Sequence, residues 1–159
     1  MRTISRKKSR ASGFTLIELL VVVSIVGVLS ALAVVNYQAY RMRAKVARTA
    51  AELRSFGIAF QAYELSEGMY PADTNNLLPP GMENYIVPEA FHRDTPLGGR
   101  YNWEGPSFYP YAGISISSPT VEIELIQALD RFLDDGNLAV GRFRIETNGR
   151  PTYIIEEMS

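Results

Sequence analysis

The sequence predicts an α+β fold, in which one long N-terminal α-helix packs on a small antiparallel β-sheet. No proline or glycine interrupts residues 29–56, and apolar side chains recur every seven residues at Val46, Leu53 and Phe60. That spacing places them on one face of a helix. The last third of the chain instead contains short β-rich segments separated by turn residues, which is typical of a small sheet.

Composition limits the classes of protein to consider. The chain has 159 residues, of which 47% are hydrophobic and 21% are charged, so it can form one domain with a modest core. It has no cysteine, which excludes a disulfide framework, thiol catalysis and cysteine metal sites. Five basic residues and no acidic residue occupy positions 1–13: Arg2, Arg6, Lys7, Lys8 and Arg10. The rest of the chain is net acidic, so no nucleic-acid partner is expected.

An apolar run extends from residue 14 to residue 35. As an α-helix, these 22 residues span about 33 Å, close to the roughly 30 Å of a bilayer hydrocarbon core. The run is too long for the hydrophobic core of an ordinary signal peptide, typically about 7–15 residues. It therefore predicts a membrane-spanning helix. A plain signal anchor is the simplest version of that prediction. Glu18 does not fit it, because a carboxylate is unfavourable in a membrane segment.

Glu18 has two interpretations. A carboxylate at the bilayer centre costs on the order of 3 kcal/mol, but an acid near a helix N-terminus costs less and is favoured by the helix dipole. In the first interpretation, Glu18 simply lies at a shallow depth in the membrane. Alternatively, a cut between Gly13 and Phe14 would create a protonated α-amine at Phe14. Glu18, then the fifth residue, would pair with that amine on a neighbouring subunit, and a paired charge is tolerated in lipid.

The basic leader, the segment G-F-T-L-I-E and the long apolar run resemble the class III signal of type IV pilins and type II secretion pseudopilins. The resemblance covers roughly residues 6–36. It implies that a prepilin peptidase cleaves after Gly13 and methylates the amine of Phe14. It also implies that Glu18, which matches the acidic fifth position of the family, acts in filament assembly.

The first helix is predicted to continue beyond the apolar run, from residue 14 to about residue 66. Gly68 and Pro71 then end it. Phe56 adds to the apolar stripe, which should pack on the sheet. Gly57 lies inside this pattern and indicates the close approach of a strand.

Residues 66–111 are rich in proline and glycine but also in aromatic side chains. Flexible linkers rarely contain so many aromatic residues, so this segment is predicted to be an ordered loop anchored by them. Two of its segments, GMYPADTNNLLP and DTPLGGRYNWEG, resemble segments of the major pseudopilin. The second match is partial, but the resemblance favours a secretion pseudopilin over a pilus pilin.

The C-terminal part is predicted to contain a strand, a short helix and a hairpin. Residues 111–117 form the strand, and Pro119 marks the start of the helix. The helix ends at Gly136, and one apolar face is formed by Val121, Leu125, Leu129 and Phe132. The segments AVGRFRIET and TYIIEE are the strands of a hairpin that turns at Asn148-Gly149.

The segment LDDGN raises the question of a metal. Asp134 and Asp135 are possible oxygen ligands for calcium. Their spacing does not match a D-x-D-x-D-G ladder, and a helix C-cap at Gly136, with the acids facing Arg142 or Arg144, is simpler. The sequence therefore predicts no cofactor and leaves calcium as an alternative.

No constellation of catalytic residues is evident. His92 is the only histidine and cannot form a histidine metal cluster. There is no G-x-S-x-G nucleophile motif and no nucleotide-binding motif. The sequence predicts that the protein is not an enzyme.

The resemblance implies three regions: a prepilin leader (1–13), the transmembrane half of the first helix (14–36) and a periplasmic pilin-like domain (37–159), with the protein in the inner membrane. The implied function is a structural subunit of a type II secretion pseudopilus, assembled into a filament that helps export folded proteins. The alternative is a type IV pilus or competence minor pilin with an adhesive or DNA-binding role. The implied partners are other pseudopilins, prepilin peptidase, an assembly ATPase with its membrane platform, the secretin and inner-membrane lipid.

Overall fold

A computed structural model describes residues 13–158, with the exception of the side chains of Val35 and Asn36. The leader predicted for residues 1–13 lies outside the described residues except for Gly13. The helices are α1 (Leu16–Glu67), α2 (Pro88–His92) and α3 (Ile123–Leu133), with one 3-10 turn at Met82–Asn84. The strands are β1 (Arg100–Glu104), β2 (Tyr111–Ser117), β3 (Phe143–Ile145) and β4 (Pro151–Glu157). They form one antiparallel sheet in the order β1-β2-β4-β3, so the predicted α+β fold class is confirmed.

The described residues fall into two compact units that divide within α1, after Tyr40. In the first unit, every side chain whose exposure is described is exposed. The apolar part of α1 is long enough to cross a membrane by its length and composition. The chain thus has a long apolar N-terminal helix suited to membrane anchoring, and a globular unit that begins at Arg41.

The core of the globular unit forms around the apolar stripe of α1. Val46, Leu53, Phe56 and Phe60 are all buried, which confirms the predicted stripe. Phe60 stacks on Trp103 of β1, with ring centroids 3.7 Å apart. Truncating such a buried aromatic residue to alanine costs about 3–5 kcal/mol, so this contact is a major source of stability.

Gly57 lies where α1 meets the sheet, as its position in the stripe predicted. A Cβ atom at this position would lie 3.3 Å from the ring of Tyr153 and 3.6 Å from Ile155. Both residues belong to β4. The absence of a side chain on Gly57 therefore lets the helix approach this strand closely.

The predicted loop at residues 66–111 is ordered, but it contains regular structure that the sequence reading missed. Strand β1 lies within it and pairs with β2, with Trp103 opposite Ile114. Helix α2 and the 3-10 turn also lie within it. The Trp103 indole N–H donates to the carbonyl of Pro71 at 3.0 Å, so the aromatic residues anchor the loop as predicted. The pairing of β1 with β2 decides the structure here, and local composition does not reveal it.

Two predictions about α3 are wrong. The helix begins at Ile123 and not at Pro119, because the Thr120 N–H donates to a carbonyl of the segment before β1 and keeps the chain outside the helix. Phe132, which was placed on the buried face, is 52% exposed, and Ile126 is buried instead. Ile126 lies three residues before Leu129, which is also buried, so these two residues share the face that packs on the core.

The C-terminal hairpin is confirmed. The Gly149 N–H donates to the Glu146 carbonyl at 2.8 Å, and Gly149 has a positive φ of 77°, as a tight turn between β3 and β4 requires. Strand β3 is shorter than predicted and covers only Phe143–Ile145. The reason is local, since the Arg142 N–H donates to the Asp134 carboxylate and not to the neighbouring strand.

A comparison of Gly99 and Gly149, which have similar φ angles, can show how tightly the edge of the sheet is packed. Gly99 has a φ of 72° and a Cβ atom there would overlap the carbonyl oxygen of Ser117, whereas Gly149 has a φ of 77° and open space around it. Gly99→Ala should lower the free energy of unfolding by about 1–3 kcal/mol more than Gly149→Ala, because both share the cost of positive φ but only Gly99→Ala adds overpacking. Chemical denaturation of the full chain in detergent micelles, followed by Trp103 fluorescence, measures the difference. Equal losses would contradict this packing.

Candidate functional site

The residues predicted for processing and assembly lie at the N-terminal end of α1. Gly13 and Phe14 precede the helix, and Phe14 is 81% exposed. The peptide bond between them therefore lies in an exposed segment outside the helix, which is accessible to a protease. Glu18 is exposed in the first turn of the helix. Their roles in cleavage, methylation and assembly stay predictions.

Glu18 makes a reciprocal cap with Thr15. The Glu18 N–H donates to the Thr15 hydroxyl oxygen at 3.3 Å. In return, the Thr15 backbone N–H and hydroxyl donate to Glu18 Oε2 at 3.4 and 3.3 Å. The Leu19 N–H donates to the Thr15 carbonyl and opens the helical ladder. This arrangement is a T-x-x-E capping box, which satisfies donors that a helix start leaves open. The sequence reading missed it, although a threonine three residues before a glutamate is its signature.

The cap fixes where the acidic group is held. The Glu18 carboxylate lies over the first turn, at the positive end of the helix dipole. It is also bonded to the backbone of Thr15, one residue after Phe14. If the chain is cut after Gly13, the new amine is therefore created close to a carboxylate that is already oriented.

A second cluster of acidic groups lies where α3 ends. Asp130, Asp134 and Asp135 each place one carboxylate oxygen within 4.8 Å of the others. Asp130 is fully buried, and neither of its oxygens has a hydrogen-bond partner, whereas Asp134 and Asp135 are exposed. The Asp134 carboxylate accepts the Arg142 N–H, and Asp135 Oδ1 accepts the Asn137 N–H at 2.8 Å. The cluster thus combines one unsatisfied acid with two that the turn holds in place.

The simpler alternative for this segment, in which the acids face Arg142 or Arg144, is confirmed only for Asp134, which accepts the backbone N–H of Arg142, and neither guanidinium pairs with Asp134 or Asp135 in the described ion pairs. The Arg144 guanidinium pairs with Glu146 at 2.6 Å and with Glu157 at 2.7 Å. The Arg142 guanidinium donates to the carbonyl of Ile155. The helix ends earlier than predicted, with Asp134 and not Gly136 at its C-cap.

Burial dominates the electrostatics of Asp130. Desolvation raises the pKa of its carboxyl group, and the negative charge of Asp135 raises that pKa further. Both effects disfavour the charged form. Asp130 was missed by the sequence reading, although its spacing of four residues from Asp134 places both on one helix face.

Glu104 is a second buried acid, and it has hydrogen-bond partners within the protein. It is fully buried, and its carboxylate accepts hydrogen bonds from the Tyr111 hydroxyl at 2.7 Å and the Asn148 amide at 3.0 Å, and it lies 3.4 Å from Arg150 Nη1. Burial raises the pKa of Tyr111, and the hydrogen bond to Glu104 raises that pKa further. The tyrosine hydroxyl therefore keeps its proton and remains neutral. Glu104 is therefore a structural hydrogen-bond centre of the sheet.

No catalytic arrangement emerges among residues 13–158. His92 Nε2 accepts the Leu78 N–H at 3.0 Å, so the histidine holds a loop. Within the described part of the chain, the three aspartates after α3 are the only group of metal-ligating side chains that converge.

Comparison with known proteins agrees with the N-terminal geometry. Residues 8–34 match the prokaryotic N-terminal methylation motif. The type IV major pilin protein PilE of Neisseria gonorrhoeae is 41% identical over 64 residues, which is 40% of this chain and 38% of PilE. A fimbrial protein of Pseudomonas aeruginosa is 39% identical over 67 residues, 39% of this chain and 44% of that protein. The type IV major fimbrial protein FimA of Dichelobacter nodosus is 51% identical over 45 residues, 28% of this chain and 29% of FimA.

These matches show which proteins the chain is similar to. The matched segments span less than half the length of the curated relatives. No solved structure gives a significant match to the chain. Part of the chain is thus similar to type IV pilins, and its N-terminal part carries the methylation motif, in agreement with the resemblance to a prepilin signal. The motif includes Gly13, Phe14 and Glu18.

The capping box can be tested with conservative changes at Thr15. Thr15→Val removes the hydroxyl that accepts the Glu18 N–H and should destabilise the first turn by about 1 kcal/mol. Amide hydrogen exchange at residues 17–19, measured on the full chain in detergent micelles, should then accelerate about fivefold. Thr15→Ser keeps the hydroxyl and should exchange like the natural sequence. Equal rates in all three proteins would show that the cap does not form.

Proposed function

We propose that this protein is a non-enzymatic structural subunit of a filament, anchored in the inner membrane before assembly, with its globular unit in the periplasm. The observation that carries the proposal is the N-terminal end of α1, where an accessible Gly13-Phe14 bond, a methylation motif and an apolar helix with a capped acid occur together. The relatives named as pilin and fimbrial proteins support the same class.

Processing is the first step of the proposed mechanism. A prepilin peptidase cleaves after Gly13 and methylates the amine of Phe14. Cleavage removes the basic leader, which otherwise holds the N-terminus on the cytoplasmic side. It also leaves a cation at the start of an apolar helix, where Glu18 is the acid in its first turn.

Assembly is the second step. The exposed apolar surface of residues 16–34 is covered by lipid in the single subunit and by neighbouring helices in the filament. Both side-chain cap bonds to Thr15 use Oε2 of Glu18, so Oε1 is left to accept the Phe14 amine of the next subunit. Such a pair fixes the axial offset between subunits, because leaving either charge alone in an apolar filament core is costly.

The system to which the filament belongs has two candidates. The first is a type II secretion pseudopilus that helps export folded proteins, with other pseudopilins, an assembly ATPase with its membrane platform and a secretin as partners. The segments at residues 68–79 and 94–105, which resemble the major pseudopilin, favour it. The second is a type IV pilus, which the names of the relatives favour, although those matches cover only 28–40% of this chain.

Processing is tested by intact-mass spectrometry of the protein purified from a host with a prepilin peptidase. The mature chain should begin at Phe14 and carry a methyl group on its α-amine. Gly13→Val should leave the full-length, unmethylated chain, because a larger side chain at the cut site does not fit where glycine does. An uncut natural chain in that host would overturn the processing step.

Assembly is tested by replacing the acid in the first turn. Glu18→Val should still insert into the membrane, since it removes a charge from an apolar helix, but it should form no filaments by electron microscopy. Glu67→Val, which removes an exposed acid at the other end of α1, is the matched control and should assemble normally. The same strains are assayed for the export of folded proteins and for surface filaments. Loss of export in Glu18→Val identifies a secretion pseudopilus, and loss of surface filaments identifies a pilus. Normal filaments from Glu18→Val would refute the pairing.

A further inference from the structure

We propose that a basic cavity at the start of the globular unit binds the headgroup of an anionic phospholipid in the membrane that anchors the chain. The cavity has a volume of about 420 Å³ and is lined by residues of α1 and of the segment before β1: Arg41, Ala44, Lys45, Arg48, Asp94 and Pro96. That volume is within the usual range of ligand pockets, about 300–1,000 Å³. Such a site depends on the membrane anchoring proposed above, and not on cleavage or filament assembly.

The three basic residues of the cavity lie on one face of α1. Arg41, Lys45 and Arg48 are four and three residues apart, which is the spacing of neighbours along a helix face. Arg43 belongs to the same basic segment and is exposed, but it does not line the cavity. It is offset from Arg41 by about half a turn of the helix. The helix thus divides its basic residues between the cavity and the open surface.

Lys45 and Arg48 give the cavity an excess of positive charge. Lys45 is half-buried, and none of the ion pairs among the described residues involves it. Arg48 donates to Glu52 through Nε at 2.8 Å. Glu52 also pairs with Arg93 at 2.5 Å, so one carboxylate is shared by two guanidinium groups. A further anion is therefore attracted to this part of the cavity.

Asp94, the acidic residue of the lining, does not cancel this charge. Its carboxylate lies 3.6 Å from Arg100 Nε, so it already has a cationic partner outside the lining. Both side chains are largely exposed, so water screens this pair. Three cations and one paired acid favour an anion over a metal ion as the occupant. A phosphodiester suits arginine in particular, because the guanidinium group can donate two parallel hydrogen bonds to phosphate oxygens.

The position of the cavity in the chain indicates the source of the phosphate. Arg41 comes six residues after the apolar run, which ends at residue 35. A helix rises about 1.5 Å per residue, so Arg41 follows the end of the run by about 9 Å. The headgroup layer on each side of the hydrocarbon core is roughly 5–8 Å thick. Helix side chains tilt toward the N-terminus, so the long side chains of Arg41 and Lys45 are directed back toward that layer.

Membrane topology alone does not account for these charges. Basic residues favour the cytoplasmic side of a span, and the leader already supplies five of them. Residues 41–48 add four basic residues and no acid on the side proposed to be periplasmic, whereas residues 49–159 contain seven basic and 16 acidic residues. Attraction to anionic lipid explains a basic segment at the start of an acidic domain, because it holds that domain at the membrane surface.

The test uses the full chain in nanodiscs that contain equal amounts of anionic phosphatidylglycerol and zwitterionic phosphatidylcholine. Native mass spectrometry of the released protein measures the ratio of the two lipids that remain bound. The natural chain should retain phosphatidylglycerol preferentially at physiological salt, where charges more than about 8 Å apart are largely screened. Lys45→Gln and Arg41→Gln should each lower the ratio about fivefold, because one basic side chain near an anionic surface contributes about that factor.

Two matched variants separate the cavity from general basic attraction. Arg43→Gln removes a charge from the same segment but outside the cavity, and it should leave the ratio unchanged. Lys45→Arg keeps the charge and should bind like the natural chain. Every variant contains the basic leader, so the lipid that the leader attracts is the same in each comparison. Arg41 and Arg43 are both exposed, so neither substitution disturbs the core.

The outcomes distinguish this site from the proposed function. The site is overturned if the inserted natural chain retains both lipids equally, or if Arg43→Gln lowers the ratio as much as Lys45→Gln does. Displacement of phosphatidylglycerol by millimolar inorganic phosphate would show that the cavity takes phosphate from solution, and it would overturn the assignment to lipid. A chain that does not insert contradicts both the site and the membrane anchoring. Insertion without a lipid preference contradicts the site alone.

Discussion

The globular unit depends on the contact between the apolar stripe of α1 and the aromatic residues of β1. Phe60 stacks on Trp103, and Phe56 meets Tyr101 edge to face at 5.1 Å. The same tryptophan donates to the Pro71 carbonyl, so the stack also anchors the segment that follows α1. A loop rich in proline and glycine becomes ordered here because its aromatic side chains have a helix face to pack on.

Two buried carboxylates, those of Glu104 and Asp130, differ in their hydrogen-bond partners. Glu104 lies between strands and accepts bonds from Tyr111 and Asn148, with Arg150 nearby, so its charge is compensated within the protein. Asp130 lies at the end of a helix with two further acids beside it and with no hydrogen-bond partner. Burial costs both groups solvation, but only Glu104 regains hydrogen bonds and a nearby cation within the protein.

Glu18 has a local structural role in addition to the intermolecular role proposed for it. Its bonds with Thr15 satisfy the start of α1, which the membrane would otherwise leave without partners. They also hold the carboxylate against the backbone of Thr15, one residue after Phe14, where the proposed cleavage would create an amine. The two interpretations of Glu18 are thus compatible, since a residue at the helix end is also placed for the proposed pairing.

The sequence by itself determined the elements whose signals are local: the helix from Leu16 to Glu67, its buried stripe, the Asn148-Gly149 hairpin and the prepilin signal. Residue spacing, turn residues and the motif predict these elements, because each signal depends on residues that are close together in the chain. Only the tertiary structure decided that β1 pairs with β2 and that α3 starts after Pro119. It also decided that Asp130 joins Asp134 and Asp135, because burial and partners at a site depend on segments that are distant in sequence.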